Sequence, residues 1–252
     1  MLTQSIEIEA ADGVAEAYLV RPDEGAHPGI LMYPDAFGLR PAFREMAERV
    51  ASWGYTVLVP NYFYRTGTAE DLEPKGDPGG PLGPAAMAAL DFPTRMGAVT
   101  PAGAVADAVP FVEALRSRGG VEGPIATVGY CFGGLQAIRA AETQPGAVAA
   151  VGAFHTGRLV TEGEESVHRH VAESRAEYYL GHADNDPSAT PEIIAKMETA
   201  LAAAGRPYTS ELYEGTRHGY AVRDTAAYDE AAAERHYREL HALLERTIER
   251  TP

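Results

Sequence analysis

The single cysteine of this 252-residue chain lies in a glycine-rich stretch, Val128-Gly129-Tyr130-Cys131-Phe132-Gly133-Gly134. A buried-strand pattern precedes it and a helical pattern follows it, which is typical of a nucleophile elbow, where the residues two before and two after the nucleophile must be small. Gly129 and Gly133 occupy those two positions. The turn sets the thiol at a helix N-terminus, which favours the reactive thiolate. We predict that Cys131 is a nucleophile and that the Phe132 N–H faces a developing oxyanion; the alternative is a small buried hydrophobe.

A thiol nucleophile needs a base, and His218 is the candidate among the eight histidines. It follows the last predicted strand, where the order nucleophile, acid, histidine places the base. The acid should follow the strand before that one, and spacing alone does not separate Asp184 from Asp186. The other histidines considered are predicted to be solvated helix residues (His168, His170, His236 and His241), a strand-end residue bonded to a neighbouring loop (His155) or a structural residue (His182).

Alternating strand and helix patterns must position these side chains. Alternation from Ile6 to Val20, turning at Asp12-Gly13, predicts an N-terminal β-hairpin. The continuous apolar runs GILMY and YTVLVP enclose a helical pattern, and the same alternation recurs to the C-terminus. We predict an α/β fold with a mostly parallel central sheet flanked by helices on both faces, in a single domain over 1–252. Pro110 is expected to kink or divide one helix.

Composition excludes several classes of function. A formal charge of −15 disfavours nucleic acid and anionic membranes as partners, and no apolar run is long enough to span a bilayer. With one cysteine and no leader-like start, we expect a cytoplasmic protein. No CxxC, HExxH or phosphate-loop pattern is present, so we expect no metal or organic cofactor. The Gly/Pro-rich loop at 65–84 follows a buried strand and is expected to border the active site.

Several motifs together resemble the dienelactone hydrolase (carboxymethylenebutenolidase) family of the α/β-hydrolase fold: MLTQSIEIEAADG, YPDAFGL, WGYTVLVPNYF, GYCFGG, the acid loop and YEGTRHGYA. The resemblance covers nearly the whole chain. It implies a triad of Cys131, Asp186 and His218, with Asp184 as the fallback acid. It also implies that the second oxyanion donor is the N–H of Ala36 and that no cofactor is needed.

The resemblance also identifies residues expected to contact substrate or thiol, namely Asp35, Arg223 and Tyr130. The family has glutamate where this chain has Asp35, so control of the thiol through that position stays open; the alternative is a loop aspartate that caps the turn. The arginine that the family carries in its mid-chain loop is absent between Glu70 and Leu90, and Arg223 comes one place later than the family's second arginine. Because a carboxylate clamp tolerates little displacement, dienelactone and another small ester or lactone are both open as substrates.

The expected function is therefore hydrolysis of a small lactone or carboxylic ester through a cysteine nucleophile. Two alternatives stay open: a non-catalytic module that binds a small ligand in the same pocket, and a redox-responsive protein in which Cys131 forms a sulfenic acid. Neither the oligomeric state nor the natural substrate follows from these residues.

Overall fold

A computed structural model describes residues 1–74, 81–82 and 84–248 of the chain. Within these residues the chain forms eight strands: β1 (Leu2–Ala10), β2 (Gly13–Arg21), β3 (Gly29–Tyr33), β4 (Thr56–Pro60), β5 (Ile125–Tyr130), β6 (Val148–Phe154), β7 (Glu177–Asn185) and β8 (Tyr208–Arg217). The same residues form eight α-helices: α1 (Pro41–Ala51), α2 (Ala69–Leu72), α3 (Pro84–Ala89), α4 (Phe92–Gly97), α5 (Pro101–Gly119), α6 (Phe132–Thr143), α7 (Pro191–Ala203) and α8 (Glu230–Ile248).

All eight strands belong to one sheet with the order β1-β2-β4-β3-β5-β6-β7-β8. The predicted hairpin is present as β1 and β2, which pair antiparallel, and β2 also pairs antiparallel with β4. From β4 to β8 all neighbours are parallel. The chain therefore changes direction across the sheet between β3 and β5, and in such sheets the crevice at that point binds ligands.

Helices cover the two faces of the sheet and bury a separate apolar layer on each. Helices α5, α6 and α7 pack on one face, and α1 and α8 pack on the other. Strands β3, β4 and β5 are buried along their whole length, as their continuous apolar runs predict. The expected α/β architecture is confirmed.

Two helices differ in part from what the sequence predicts. Helix α5 continues through Pro110 undivided, because Ala106, whose carbonyl would lose its helical partner, is exposed to water. The helical pattern after the last strand runs from Thr225 to Arg250, but the described helix begins at Glu230. The Thr225 hydroxyl donates to the carbonyls of Gly219 and Val222, both at 3.0 Å, and so closes a separate turn ahead of the helix.

The predicted loop at 65–84 is not uniformly irregular, since helix α2 lies inside it and is capped at Thr68. Residues 75–80 and 83, which carry much of its glycine and proline, lie outside the described residues. Among the described helices, none is both long and apolar enough to cross a membrane.

Candidate active site

Cys131 occupies the turn between β5 and α6, as predicted. Its backbone has φ 55° and ψ −122°, which is a strained combination for a residue other than glycine. The Cys131 N–H donates to the Phe154 carbonyl at 3.0 Å, and the Cys131 carbonyl accepts from Gly134 N–H at 3.1 Å. These bonds fix the turn, and the thiol stays partly exposed.

Two glycines around the turn have no room for a side chain. A Cβ on Gly129 would collide with the carbonyl of Gly133, and a Cβ on Gly133 would collide with the carbonyl of Pro34. The crowding that the sequence predicted at these two positions is therefore present. It arises because the strand, the helix and the loop after β3 approach one another closely at this point.

His218 and Asp186 come together at the carboxyl ends of β8 and β7. His218 Nδ1 lies 2.6 Å from Asp186 Oδ2. Asp186 is 6% exposed, and its Oδ1 accepts from the N–H of Ser188 at 2.9 Å and from the hydroxyl at 2.6 Å. Asp184, the other candidate acid, is exposed and accepts from Gly215 N–H at 3.0 Å. The geometry thus pairs His218 with Asp186, whereas Asp184 bonds to the backbone of β8.

Neighbouring charges and hydrogen bonds shift the pKa values of both His218 and Asp186. Burial favours the neutral form of His218, but a negative charge on Cys131 and hydrogen bonds with Asp186 and Cys131 outweigh it and raise the pKa of His218 to about 11. Burial likewise opposes the Asp186 carboxylate, yet the hydrogen bonds and charge from His218 and the bonds from Ser188 lower its pKa to about 2. The arrangement therefore favours a protonated His218 beside the Asp186 carboxylate.

The peptide between Asp35 and Ala36 carries the second predicted oxyanion donor. Its carbonyl accepts from Gly38 N–H at 2.9 Å and from the Tyr62 hydroxyl at 3.4 Å. Because the N–H and C=O of a trans peptide point in opposite directions, these bonds fix where the Ala36 N–H points. The next carbonyl, that of Ala36, accepts from the buried Arg95 guanidinium at 3.1 Å. The loop is thus held from both sides.

Asp35 forms a buried ion pair with Arg40. Arg40 Nη1 and Nη2 lie 2.7 and 3.0 Å from the two Asp35 oxygens, and Phe37 N–H donates to Oδ1 at 2.9 Å. Arg40 also donates to both oxygens of Asp224, at 2.7 and 2.8 Å. The Asp35 carboxylate therefore bonds to residues of its own loop. This geometry supports a role for Asp35 in stabilising the loop after β3.

A cavity of about 480 Å³ opens over the thiol. Its lining is mostly apolar and includes one guanidinium; its residues are Asp35, Ala36, Phe37, Leu82, Phe92, Met96, Cys131, His155, Asn185, Arg217, His218, Gly219, Thr225, Ala226 and Ala227. Leu82 comes from the predicted border loop and bonds to the loop after β8, since its carbonyl accepts from Ala226 N–H at 2.8 Å. A cavity of this size suits a small ligand. Among the described residues, no cluster of three or more metal-ligating side chains occurs.

Two residues expected to contact substrate or thiol lie elsewhere. Tyr130 points to the opposite face of the sheet from Gly129, because strand side chains alternate, and its hydroxyl lies 2.9 Å from His236 Nε2 in the core. Arg223 has a side chain 77% exposed, lies 3.5 Å from Glu45, and is not among the residues that line the cavity over Cys131. The expected contacts of Tyr130 and Arg223 do not fit this arrangement.

Two histidines differ from their predicted settings. His236, predicted to be solvated, is fully buried in α8, where Nδ1 lies 2.9 Å from the Ala233 carbonyl, and burial lowers its pKa to about 3. His155 is also fully buried, and neither ring nitrogen has a hydrogen-bond partner, contrary to the expected bond to a neighbouring loop. The apolar spacing of α8, with Ala232, Ala233 and Leu240, was the signal that could have identified His236 as a core residue.

The sheet order and the elbow define an α/β hydrolase. The dienelactone hydrolase family model matches residues 15–248, and the chain therefore belongs to the dienelactone hydrolase family. Its relatives include a carboxymethylenebutenolidase of Rhodococcus opacus, 26% identical over 201 residues, which are 79% of this chain and 72% of the relative. Dienlactone hydrolase 1 of Gibberella moniliformis is 25% identical over 240 residues, 92% of this chain and 83% of the relative. The fold is shared with the dienelactone hydrolase structure from Anabaena variabilis, with TM-score 0.71, 15% identity, and 98% and 99% of the two chains covered.

Proposed function

We propose that this chain hydrolyses the ester bond of a small lactone or carboxylic ester, with Cys131 as nucleophile, His218 as acid and base, and Asp186 as its orienting carboxylate. The observation that carries the proposal is the position of His218, whose Nδ1 lies 2.6 Å from Asp186 and whose side chain lines the same cavity as Cys131. Membership of the dienelactone hydrolase family supports hydrolysis over a ligand-binding module.

In the first step the Cys131 sulfur attacks the carbonyl carbon of the ester. The carbonyl oxygen becomes an oxyanion, which the N–H groups of Phe132 and Ala36 stabilise. The C–O bond to the leaving group then breaks, and the protonated His218 gives its Nε2 proton to the departing alkoxide. An acyl thioester on Cys131 remains.

In the second step water attacks the thioester. His218, now neutral, takes a proton from the water as it adds to the acyl carbon, and the carbon–sulfur bond breaks. The products are the free carboxylic acid and the Cys131 thiolate. His218 is left protonated beside the thiolate, which restores the starting ion pair. Asp186 holds the imidazole through Nδ1 throughout, so that Nε2 faces the thiol.

The cavity supports a small, largely apolar substrate. Butenolides are the substrates that the relatives' names imply, and a small lactone of that kind fits a volume of about 480 Å³. Among the described lining residues, Arg217 carries the permanent positive charge, and its Nη2 donates to the Ala226 carbonyl at 2.9 Å. Among the described residues, a carboxylate clamp in this cavity would therefore use Arg217 rather than Arg223.

The acyl thioester gives a direct test. Mixing the protein with 4-nitrophenyl acetate and recording its intact mass at short times should show one added acetyl group and a burst of nitrophenol. Cys131→Ala should lose the added mass and the turnover while keeping the circular dichroism spectrum of the wild type. His27→Ala, a matched histidine change far from the cavity, should retain both. Undiminished turnover in Cys131→Ala would overturn the proposal.

A further inference from the structure

A second cavity, of about 330 Å³, lies beside the one over Cys131. Met96 lines both cavities, and Phe132, the residue after the nucleophile, lines the second one. Helix α6, which begins at Phe132, also contributes Arg139 to this second cavity, and the segment after β6 contributes Arg158. The proposed chemistry uses neither arginine.

Arg158 is held in an unfavourable backbone conformation. Its φ is 59°, in the left-handed region that few residues other than glycine adopt, and its N–H donates to the Ser188 carbonyl at 3.1 Å. Among the described non-glycine residues, only Cys131 and His155 share a positive φ, and both line the first cavity. Such strain tends to be retained where a side chain must point in a required direction.

Neither guanidinium forms a hydrogen bond or an ion pair with a described carboxylate. Arg139 Nη2 donates to the backbone carbonyl of Glu165 at 3.2 Å, and the Arg158 side chain makes no hydrogen bond or ion pair with the described residues. The Glu165 side chain also lines the cavity, but it is exposed and forms no ion pair with either arginine. The chain has 36 acidic and 21 basic residues, so two arginines around one cavity concentrate positive charge in an otherwise acidic protein.

The acidic residue next to Arg139 on α6 does not supply the missing charge at neutral pH. Burial raises the pKa of Glu142 to about 8, so this carboxyl is mostly protonated there. Burial lowers the pKa of Arg139; the carboxyls of Glu142 and Glu165 act against that shift, and the positive charge of Arg158 acts with it. An anion between the two guanidiniums would relieve their repulsion and accept hydrogen bonds from both.

We propose that the cavity bounded by Arg139 and Arg158 is an oxyanion-binding site that takes a carboxylate or phosphate group. The planar guanidinium fork matches both groups and can bind either through two parallel hydrogen bonds. The site is distinct from the cavity over Cys131, and the proposal does not depend on hydrolysis. Because Met96 is common to both cavities, the anion would lie next to any substrate held over the thiol.

Calorimetric titration with inorganic phosphate and, separately, with glutarate tests the site. The titrations are run at constant ionic strength set with chloride, and on Cys131→Ala as well as the wild type, so that failure of the proposed hydrolysis does not affect the result. Saturable binding of one anion per chain is expected. Arg158→Gln should weaken it about tenfold or more, since a charge-assisted pair is lost.

Matched variants distinguish binding at this cavity from a general effect of the protein's net charge on anion binding. Arg169→Gln removes the same charge from an exposed arginine outside the cavity and should change binding less than about twofold. Arg158→Lys keeps the charge without the fork and should give an intermediate loss. Saturation by phosphate alone or by glutarate alone identifies which group the site takes. Absence of saturable binding, or equal losses in Arg158→Gln and Arg169→Gln, would overturn the proposal.

Discussion

The imidazole of His155 packs edge to face against that of His218, with ring centroids 5.3 Å apart and planes at 65°. Burial, and then the charge of His218, keep the pKa of His155 well below its ordinary value. His155 is therefore a neutral ring against the histidine that carries the proposed proton transfers, and it adds no competing charge.

Replacing His155 tests what this contact contributes. Both ring nitrogens are buried without partners, and each such group costs about 1–3 kcal/mol. His155→Phe keeps an aromatic ring and removes those groups, so we expect the free energy of unfolding in urea to be unchanged or to rise by about 1 kcal/mol. The pH dependence of ester hydrolysis should keep its midpoints. A loss of stability above about 2 kcal/mol would mean that a bound water or ligand satisfies the ring.

Asp186→Asn should lower kcat/KM for 4-nitrophenyl acetate by about 10²- to 10⁴-fold, because the neutral amide stabilises the imidazolium less and can present the wrong tautomer. Asp184→Asn is the matched control, since Asp184 is exposed and bonds to Gly215 N–H. It should stay within about threefold of the wild type. A larger loss in Asp184→Asn than in Asp186→Asn would reverse the proposed assignment of the acid.

Gly129→Ala should destabilise the fold and abolish hydrolysis, because its Cβ would overlap backbone atoms of the elbow, which cannot move away as a side chain can. The free energy of unfolding should fall by about 3 kcal/mol or more. Gly146→Ala meets no atom within 4 Å and should change stability by less than about 1 kcal/mol. Thermal and urea unfolding of the two variants side by side measure the difference. Equal effects would contradict the crowded elbow.

The buried histidines predict loss of stability in acid. In the folded state the pKa of His236 is about 3, below its ordinary value of 6.5, so the unfolded chain binds the proton more readily. The stabilisation is complete above pH 6.5 and falls as the pH drops toward 3, by about 1.4 kcal/mol per pH unit for each such histidine. Urea unfolding from pH 8 to pH 4.5 should show this slope, and His236→Gln should reduce it by about that amount. An unchanged slope would contradict the burial of a neutral His236.

The elbow was predictable because its determinants are local. Gly129, Cys131 and Gly133 lie two positions apart in sequence, and strand, turn and helix follow directly from the pattern around them. The choice between Asp184 and Asp186 was not local, because it depends on where β7 ends relative to β8. The structure ends β7 at Asn185, so that Asp184 meets the β8 backbone and Asp186 reaches His218.

The errors at Tyr130 and Arg223 have different physical origins. Tyr130 lies beside the nucleophile in sequence, but the alternation of strand side chains directs it to the opposite face of the sheet. Arg223 was judged by its spacing from His218, whereas the turn closed by Thr225 and the pairing of Asp224 with Arg40 decide where that loop runs. No short window of sequence contains that information.

Arg40 joins two loops that are synthesised far apart in time. Its partners are Asp35, five residues away, and Asp224, which is 184 residues away. On the ribosome, the Arg40 side chain beside the loop that carries the Ala36 N–H therefore lacks its bonds to Asp224 until the segment around Asp224 emerges. Domains generally fold as units. A nascent chain cannot join the two walls of the cavity before Asp224 has left the ribosome, so the appearance of esterase activity would report that this segment has emerged.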